Sequence, residues 1–214
     1  VSPLFNEFEP LEEGPVREQV LRLADRAGVE VGEVYVVDAS RRSSTVNAYV
    51  NGIGSTRQVV IYDNAIRGLE ADEFRSLIGH ELGHVEARDL HRGILFALLV
   101  IPLGALFVQL ASRALLRRNR DDERGPAVIP ALALTVTLSV FVLQVPGNAL
   151  SRSVEAKADR YAIALTGDPQ GLVDLQVRLS KANLGDVDPP AVWHFLFGTH
   201  PTALDRIAIA EGAK

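Results

Sequence analysis

The sequence contains no cysteine and no methionine, and only 3 of its 22 basic residues are lysine. Without cysteine there is no disulfide, no thiolate nucleophile and no cysteine-liganded zinc, so any metal site must be built from histidine and carboxylate. Without methionine, Val1 is not a native initiator, and the chain is read as a fragment or a trimmed product of a longer one. Positive charge is also scarce: 22 basic against 27 acidic residues leave a formal net charge of −5. A nucleic-acid partner calls for a basic field facing phosphates, so none is expected. The 214 residues carry no internal repeat, low-complexity tract or linker, and residues 1–214 read as a single domain. That length buries a real core without a staple.

Charge is missing altogether from two stretches. Gly93 to Ser112 (GILFALLVIPLGALFVQLAS) runs for 20 residues and Gly125 to Ser151 (GPAVIPALALTVTLSVFVLQVPGNALS) for 27. A helix needs about 20 apolar residues to cross a bilayer, and both stretches qualify. Both lie mid-chain, so neither is a signal peptide. Pro102, Pro130 and Pro146 in or beside them are better tolerated in membrane helices than in soluble ones. The expected arrangement is a transmembrane hairpin, approximately 93–112 and 126–147, joined by a turn at Arg113 to Gly125. It makes the lipid bilayer a partner and the cell membrane the location. The competing reading is a buried helical hairpin in a soluble protein.

The flanking segments are polar and folded. Pro15 to Ala27 forms an amphipathic helix, with proline in its first turn and Gly28 as its stop. Three short β-rich runs, Glu33 to Asp38, Val46 to Val50 and Arg57 to Tyr62, form a small antiparallel sheet. From Glu70 the pattern turns helical, with Phe74, Leu77, Ile78 and Val85 on one side. After the hairpin, Ala149 to Thr166 is helical and stops at Gly167, Asp168-Pro169 opens another helix, and a last one starts near Pro201. The fold class is mainly α with a small antiparallel β-sheet (α+β).

The chemistry lies in His80-Glu81-Leu82-Gly83-His84. Two histidines four apart sit one turn above the other on a helix face, so both imidazoles reach one metal ion. Zinc suits imidazole and keeps an open position for water. Glu81 points toward the same ion and takes the proton of that water, which gives a nucleophile for an amide carbonyl. Gly83 in a helix interior costs about 1 kcal/mol against alanine, which points to a close neighbour.

A catalytic zinc usually has three protein ligands. The metzincin spacing is excluded because Ala87 and Leu90 occupy the positions of its glycine and third histidine. A continuous helix puts His91 about 10 Å along the axis from His84, too far for the same ion, and Gly93 about 13 Å away. The third ligand is then a carboxylate on a second helix. Glu155 and Asp159 share a face, with Glu155 as ligand and Asp159 holding a ligand histidine. The alternative is a solvated face paired with Arg152 and Lys157.

For the substrate, a short strand that pairs with an extended peptide is the simplest holder. Val46-Asn47-Ala48-Tyr49-Val50 is the best candidate. Ala48 is small enough for another backbone to approach, and Asn47 offers its amide to a carbonyl. The alternative is an ordinary sheet strand with a polar outer face.

These residues together resemble the M48 family of membrane zinc peptidases, the CAAX prenyl protease branch more than the HtpX-like one. The resemblance runs through EPLEEG (Glu9 to Gly14), VYVVDASRRSS (Val34 to Ser44), VNAYVNG (Val46 to Gly52), RQVVIYDN (Arg57 to Asn64), HELGH, SRSVEAKAD (Ser151 to Asp159), and THP (Thr199 to Pro201) with Arg206. It implies a zincin-like gluzincin core, one zinc per chain held by His80, His84 and Glu155, and Glu81 as general base. It gives Asp159 the place of a residue often described as a proton donor; a carboxylate beside zinc stays ionised, so it is read here as an orienter of histidine. By resemblance, His200 and Arg206 stabilise the reacting carbonyl, and the N-A-Y stretch binds substrate. The family's upstream membrane helices are missing from this chain.

The implied activity is a membrane zinc metalloendopeptidase acting on peptide or protein substrates, membrane-associated ones among them, in CAAX-type processing or membrane-protein quality control. The alternatives are an inactive scaffold, against which the intact Glu81 speaks, and a hydrolase of small amides. Arg75, Arg88, Arg92, Arg152, Lys157 and Arg160 flank the catalytic side, against Arg113, Arg117, Arg118, Arg120 and Arg124 in the turn. The positive-inside rule and the resemblance both place that side in the cytoplasm.

Overall fold

A computed structural model describes residues 7–119 and 125–213. In chain order the elements are β1 (Phe8–Pro10), α1 (Pro15–Arg26), β2 (Glu33–Val37), β3 (Ala48–Asn51), β4 (Gln58–Tyr62), α2 (Asp63–Gly68), α3 (Ala71–Glu86), α4 (Asp89–Asn119), α5 (Val128–Thr166), α6 (Pro169–Ala182), α7 (Ala191–Phe197) and α8 (Ala203–Glu211). Two single 3-10 turns, Ala39–Arg41 and Gly54–Thr56, link the strands.

The sheet is mixed rather than antiparallel throughout. Its order is β1-β2-β4-β3; β2 and β4 are parallel, with Val34 opposite Val59 and Val36 opposite Ile61. The outer pairs β1–β2 and β3–β4 are antiparallel. Gly52 and Gly54, at φ 86° and 59°, make the turn that folds β4 back on β3. The link from β2 carries the chain across to the far edge first, so β4 returns into the gap parallel to β2. Val59 and Ile61 are buried against the helices, while Val60, on the opposite face, is buried among Val37, Ala39 and the aromatic rings of Phe8, Tyr35, Tyr49 and Tyr62.

Helix α1 lays Val20, Leu23 and Ala24 on one face of this sheet, and α3 and α6 complete the core with Ile78, Leu82, Leu172 and Leu175. Each fully buried aliphatic side chain contributes about 1.5–3 kcal/mol. Asp168 caps α6 by accepting from the Gly171 amide at 2.9 Å, as its Asp-Pro start predicts.

Helices α4 and α5 form an apolar hairpin whose outer residues face nothing: Leu95 is 70 % and Ile129 76 % exposed. Both are long and apolar enough to cross a membrane. The soluble-hairpin alternative needs these faces buried, and among the described residues nothing buries them. Of the expected turn, α4 takes up the stretch to Asn119, and residues 120–124 lie outside the described residues.

Two local departures from the sequence reading place the functional site. The helix that carries HELGH does not continue into the first apolar run. It ends at Glu86, and Arg88 adopts φ 56° before α4 begins at Asp89. The 13 Å estimate along one axis therefore does not apply. Conversely, the second apolar run does not stop before the Glu155 segment. Pro146 lies inside α5 without ending it, so one 39-residue helix carries both.

Candidate active site

The site forms where α3 crosses α5. Gly79 and Gly83 face α5 one turn apart, and a Cβ on Gly83 would meet the Ala158 Cα at 3.2 Å and its carbonyl oxygen at 3.3 Å. At Gly79 the neighbour would be the Ala162 Cα at 3.3 Å. Two glycines against two alanines let the helix backbones approach closely, which accounts for a glycine inside the HELGH helix. The side chains of His80 and His84 then point at the next turns of α5, where Glu155 and Asp159 stand.

His80 Nε2 and His84 Nε2 lie 3.2 Å apart. Glu155 closes the triangle, with Oε2 3.2 Å from the first and Oε1 3.6 Å from the second. The outer nitrogen of each ring is held by a carboxylate: Asp159 Oδ1 lies 2.9 Å from His80 Nδ1 and Asp89 Oδ2 3.0 Å from His84 Nδ1. An ionised carboxylate only accepts, so each ring puts its proton on Nδ1 and turns the Nε2 lone pair inward. Two nitrogen lone pairs and a carboxylate then converge within 4.8 Å of one another, an arrangement that repels itself unless a positive charge sits in it.

The titration of His80 expresses the same demand. Burial by itself would lower its pKa, but hydrogen bonds to Asp159 and Glu155 outweigh burial and raise it to about 9. In the metal-free chain a proton stands where a cation fits. Burial raises the carboxyl of Glu81 above its usual range, against the pull of His80 and His84. The donor set, two imidazoles and one carboxylate with their outer nitrogens pinned, fits a borderline divalent ion.

Comparison with known proteins places this geometry. The profile of peptidase family M48 matches residues 10–214. The chain belongs to peptidase family M48. It is 32 % identical over 99 % of its length to "Uncharacterized metalloprotease YhfN" of Bacillus subtilis (strain 168), covering 51 % of that protein. It is 31 % identical over its whole length to "CAAX prenyl protease 1 homolog" of Oryza sativa subsp. japonica, again covering 51 %. The solved structure "Crystal Structure of S. mikatae Ste24p" superposes with TM-score 0.82 at 26 % identity, over 97 % of this chain and 52 % of the other. The chain spans about half the length of the relatives it matches. Membership in M48 implies a metal cofactor, and the three converging donors are where this chain can hold it.

The other residues singled out in this M48 chain sit as follows. Arg206 does not face the open cleft; it binds Asp159 through Nε, 2.7 Å from Oδ2, and through a second nitrogen to Oδ1. It therefore fixes the carboxylate that fixes His80. His200 stands over the ligand triangle, its Nε2 3.7 Å from Glu155 Oε2, and is 60 % exposed. Its loop hangs from α5, where the Asn148 amide donates to the Leu196 carbonyl at 2.8 Å and Arg152 to the Gly198 carbonyl.

Asn47 lies just before β3 and accepts the Ala48 amide on its side-chain oxygen at 3.0 Å. The Ala48 methyl is buried in the core. Its backbone, however, lies on the free edge of the sheet: the Tyr62 amide donates to the Asn47 carbonyl, so by antiparallel alternation Ala48 and Val50 turn their amides and carbonyls outward.

Asp89 was not picked out by sequence reasoning. It is the first residue of α4, five past His84, and only the elbow at Arg88 turns it back to the histidine. A carboxylate at the start of a helix is common, so the sequence offered no signal to separate it from a capping residue.

Proposed function

We propose that this M48 chain is the catalytic part of a membrane-embedded zinc endopeptidase, with one zinc held by His80, His84 and Glu155. The observation that supports it most directly is the inward convergence of two pinned imidazoles and a carboxylate beside the half-buried Glu81. When bound, zinc supplies Lewis acidity, lowering the pKa of a water and polarising a carbonyl. Glu81 takes the attacking water's proton and returns it to the leaving nitrogen. A carboxyl raised by burial is suited to both transfers. Asp159, itself held by Arg206, keeps His80 in the required tautomer, and Asp89 does the same for His84. His200, over Glu155, donates to the developing oxyanion. The peptide lies extended along β3, bonded to the outward groups of Ala48 and Val50, with Asn47 reaching a carbonyl.

Helices α4 and α5 cross the bilayer. Because α5 is unbroken, Glu155 stands about 12 Å beyond the end of the apolar run at Gly147. This supports a site close to the membrane surface, within reach of membrane-associated chains, and the flanking basic residues favour the cytoplasmic side. Relatives named CAAX prenyl protease 1 favour CAAX-type processing, with quality control of membrane proteins as the second reading. A scaffold without activity has no observation in its favour.

The test is Glu81→Gln in the full-length protein in lipid. Metal content should stay at about one ion per chain while peptide cleavage falls by about 10²–10⁴-fold. Near-parent cleavage by this variant excludes Glu81 as the base.

A further inference from the structure

A small cleft of about 90 Å³ opens beside Glu81 and His84. It is walled by the end of β3 and the elbow between α3 and α4, and two arginines line it, Arg57 and Arg88. Elsewhere the arginines are mostly engaged: Arg17 with Glu33, Arg67 with Asp63, Arg75 with Asp168 and Arg178 with Glu73. Neither Arg57 nor Arg88 has a side-chain hydrogen bond or ion pair among the described residues. Both project from fixed backbone. Arg57 donates its amide to Gly54 and accepts from Gly32, while Arg88 donates to Val85 and accepts from Arg92 across the elbow. His91 adds a third nitrogen donor on the same side. The remaining wall is apolar, with Val50, Ile53 and Leu90.

Val50 also belongs to the outward-facing edge of β3, so a peptide laid along that edge is led into this cleft. Two guanidinium groups carried on hydrogen-bonded backbone, without a side-chain partner among the described residues and next to an apolar wall, suit a residue that offers a carboxylate and an aliphatic surface together. We propose that the Arg57–Arg88 cleft is a substrate subsite that grips a carboxylate of the bound peptide. The proposal rests on the peptidase reading and names its substrate class. A carboxylate has two sources on a peptide, the free C-terminus and an Asp or Glu side chain.

The test measures binding, not turnover, on metal-loaded Glu81→Gln full-length protein in lipid. Three fluorescent peptides of one sequence are compared: one with an apolar last residue and a free C-terminus, its C-terminal amide, and an amide whose last residue is Glu. The free acid should bind about tenfold more tightly than the plain amide at low salt. If the Glu amide matches the acid, the subsite takes either carboxylate; if the Glu amide binds like the plain amide, the C-terminus is the source; if the Glu amide alone binds tightly, the side chain is. Arg88→Gln and Arg57→Gln should each bring the preference toward one, and Arg88→Lys should keep part of it. Arg88 is exposed, so its variants report even where Arg57→Gln folds poorly.

Equal or undetectable binding of all three peptides overturns the proposal, as does a preference that survives Arg88→Gln. The peptidase reading fails separately, if the metal-loaded parent cleaves no peptide while the carboxylate preference is intact.

Discussion

Asp89 Oδ2 lies 3.0 Å from His84 Nδ1. The first residue of an apolar helix thus orients one of the two histidines of the HELGH motif. Asp159, at the far end of the other apolar helix, does the same for His80 at 2.9 Å. The two long helices of the hairpin each contribute a carboxylate that sets a histidine tautomer, so the metal site is tied to both.

That tie makes Asp89 measurable. Asp89→Ala leaves His84 free to rotate and to place its proton on either nitrogen, and metal affinity should fall by about 10–100-fold. Asp89→Asn can still accept from Nδ1 and should lose less. Competitive chelator titration of the two variants decides the matter: parental affinity in Asp89→Ala makes the contact incidental.

Gly83→Ala sets two effects against each other. Alanine favours helix by about 1 kcal/mol over glycine, but its methyl meets backbone of Ala158 at 3.2–3.3 Å. Backbone cannot step aside as a flexible side chain would, and overpacking costs about 1–3 kcal/mol. A lower melting temperature with weakened metal binding is expected, because the strain pushes Glu155 away from the histidines. A more stable variant would mean that the crossing of α3 and α5 is loose.

The metal-free chain should be more stable in neutral than in alkaline solution. The His80 pKa is about 9 in the fold against 6.5 ordinarily. A raised base pKa stabilises the fold fully below about pH 6.5, and the gain is lost as pH rises through about 9. Metal loading has the opposite trend, since the ion displaces the proton from Nε2. Apparent affinity should climb about tenfold per pH unit and level off near pH 9. Melting curves with chelator and with zinc, across that range, should diverge as pH rises. Parallel curves would remove His80 from the metal.

At the sheet edge, Ala48→Pro deletes the outward amide of a residue whose carbonyl and core packing can remain. Peptide KM should rise several-fold or more with metal content unchanged. Asn47→Ala should mainly lower kcat if its side-chain amide serves the transition state. Parental kinetics in both variants would assign this strand to scaffolding.

Much of this protein follows from local pattern. The HELGH spacing determined that two imidazoles share a helix face, because helix periodicity is a property of any five consecutive residues. The charge-free lengths of residues 93–112 and 125–151 required long apolar helices. Gly28 and Asp168 marked helix ends because the left-handed turn and the side-chain cap are chemical preferences of single residues. Tertiary structure decided what depends on distant segments meeting. Strand alternation does not say which strand lies between which, so the parallel β2–β4 pair was not legible. The sequence offered Glu155 and Asp159 on one helix face, and the crossing at Gly79 and Gly83 brought them to the histidines. The elbow at Arg88, a left-handed residue with no glycine to announce it, turned Asp89 onto His84. Folding also paired Arg206 with Asp159, 47 residues away, and left Arg57 and Arg88 facing a cleft unpaired, because only three-dimensional proximity determines which opposite charges meet.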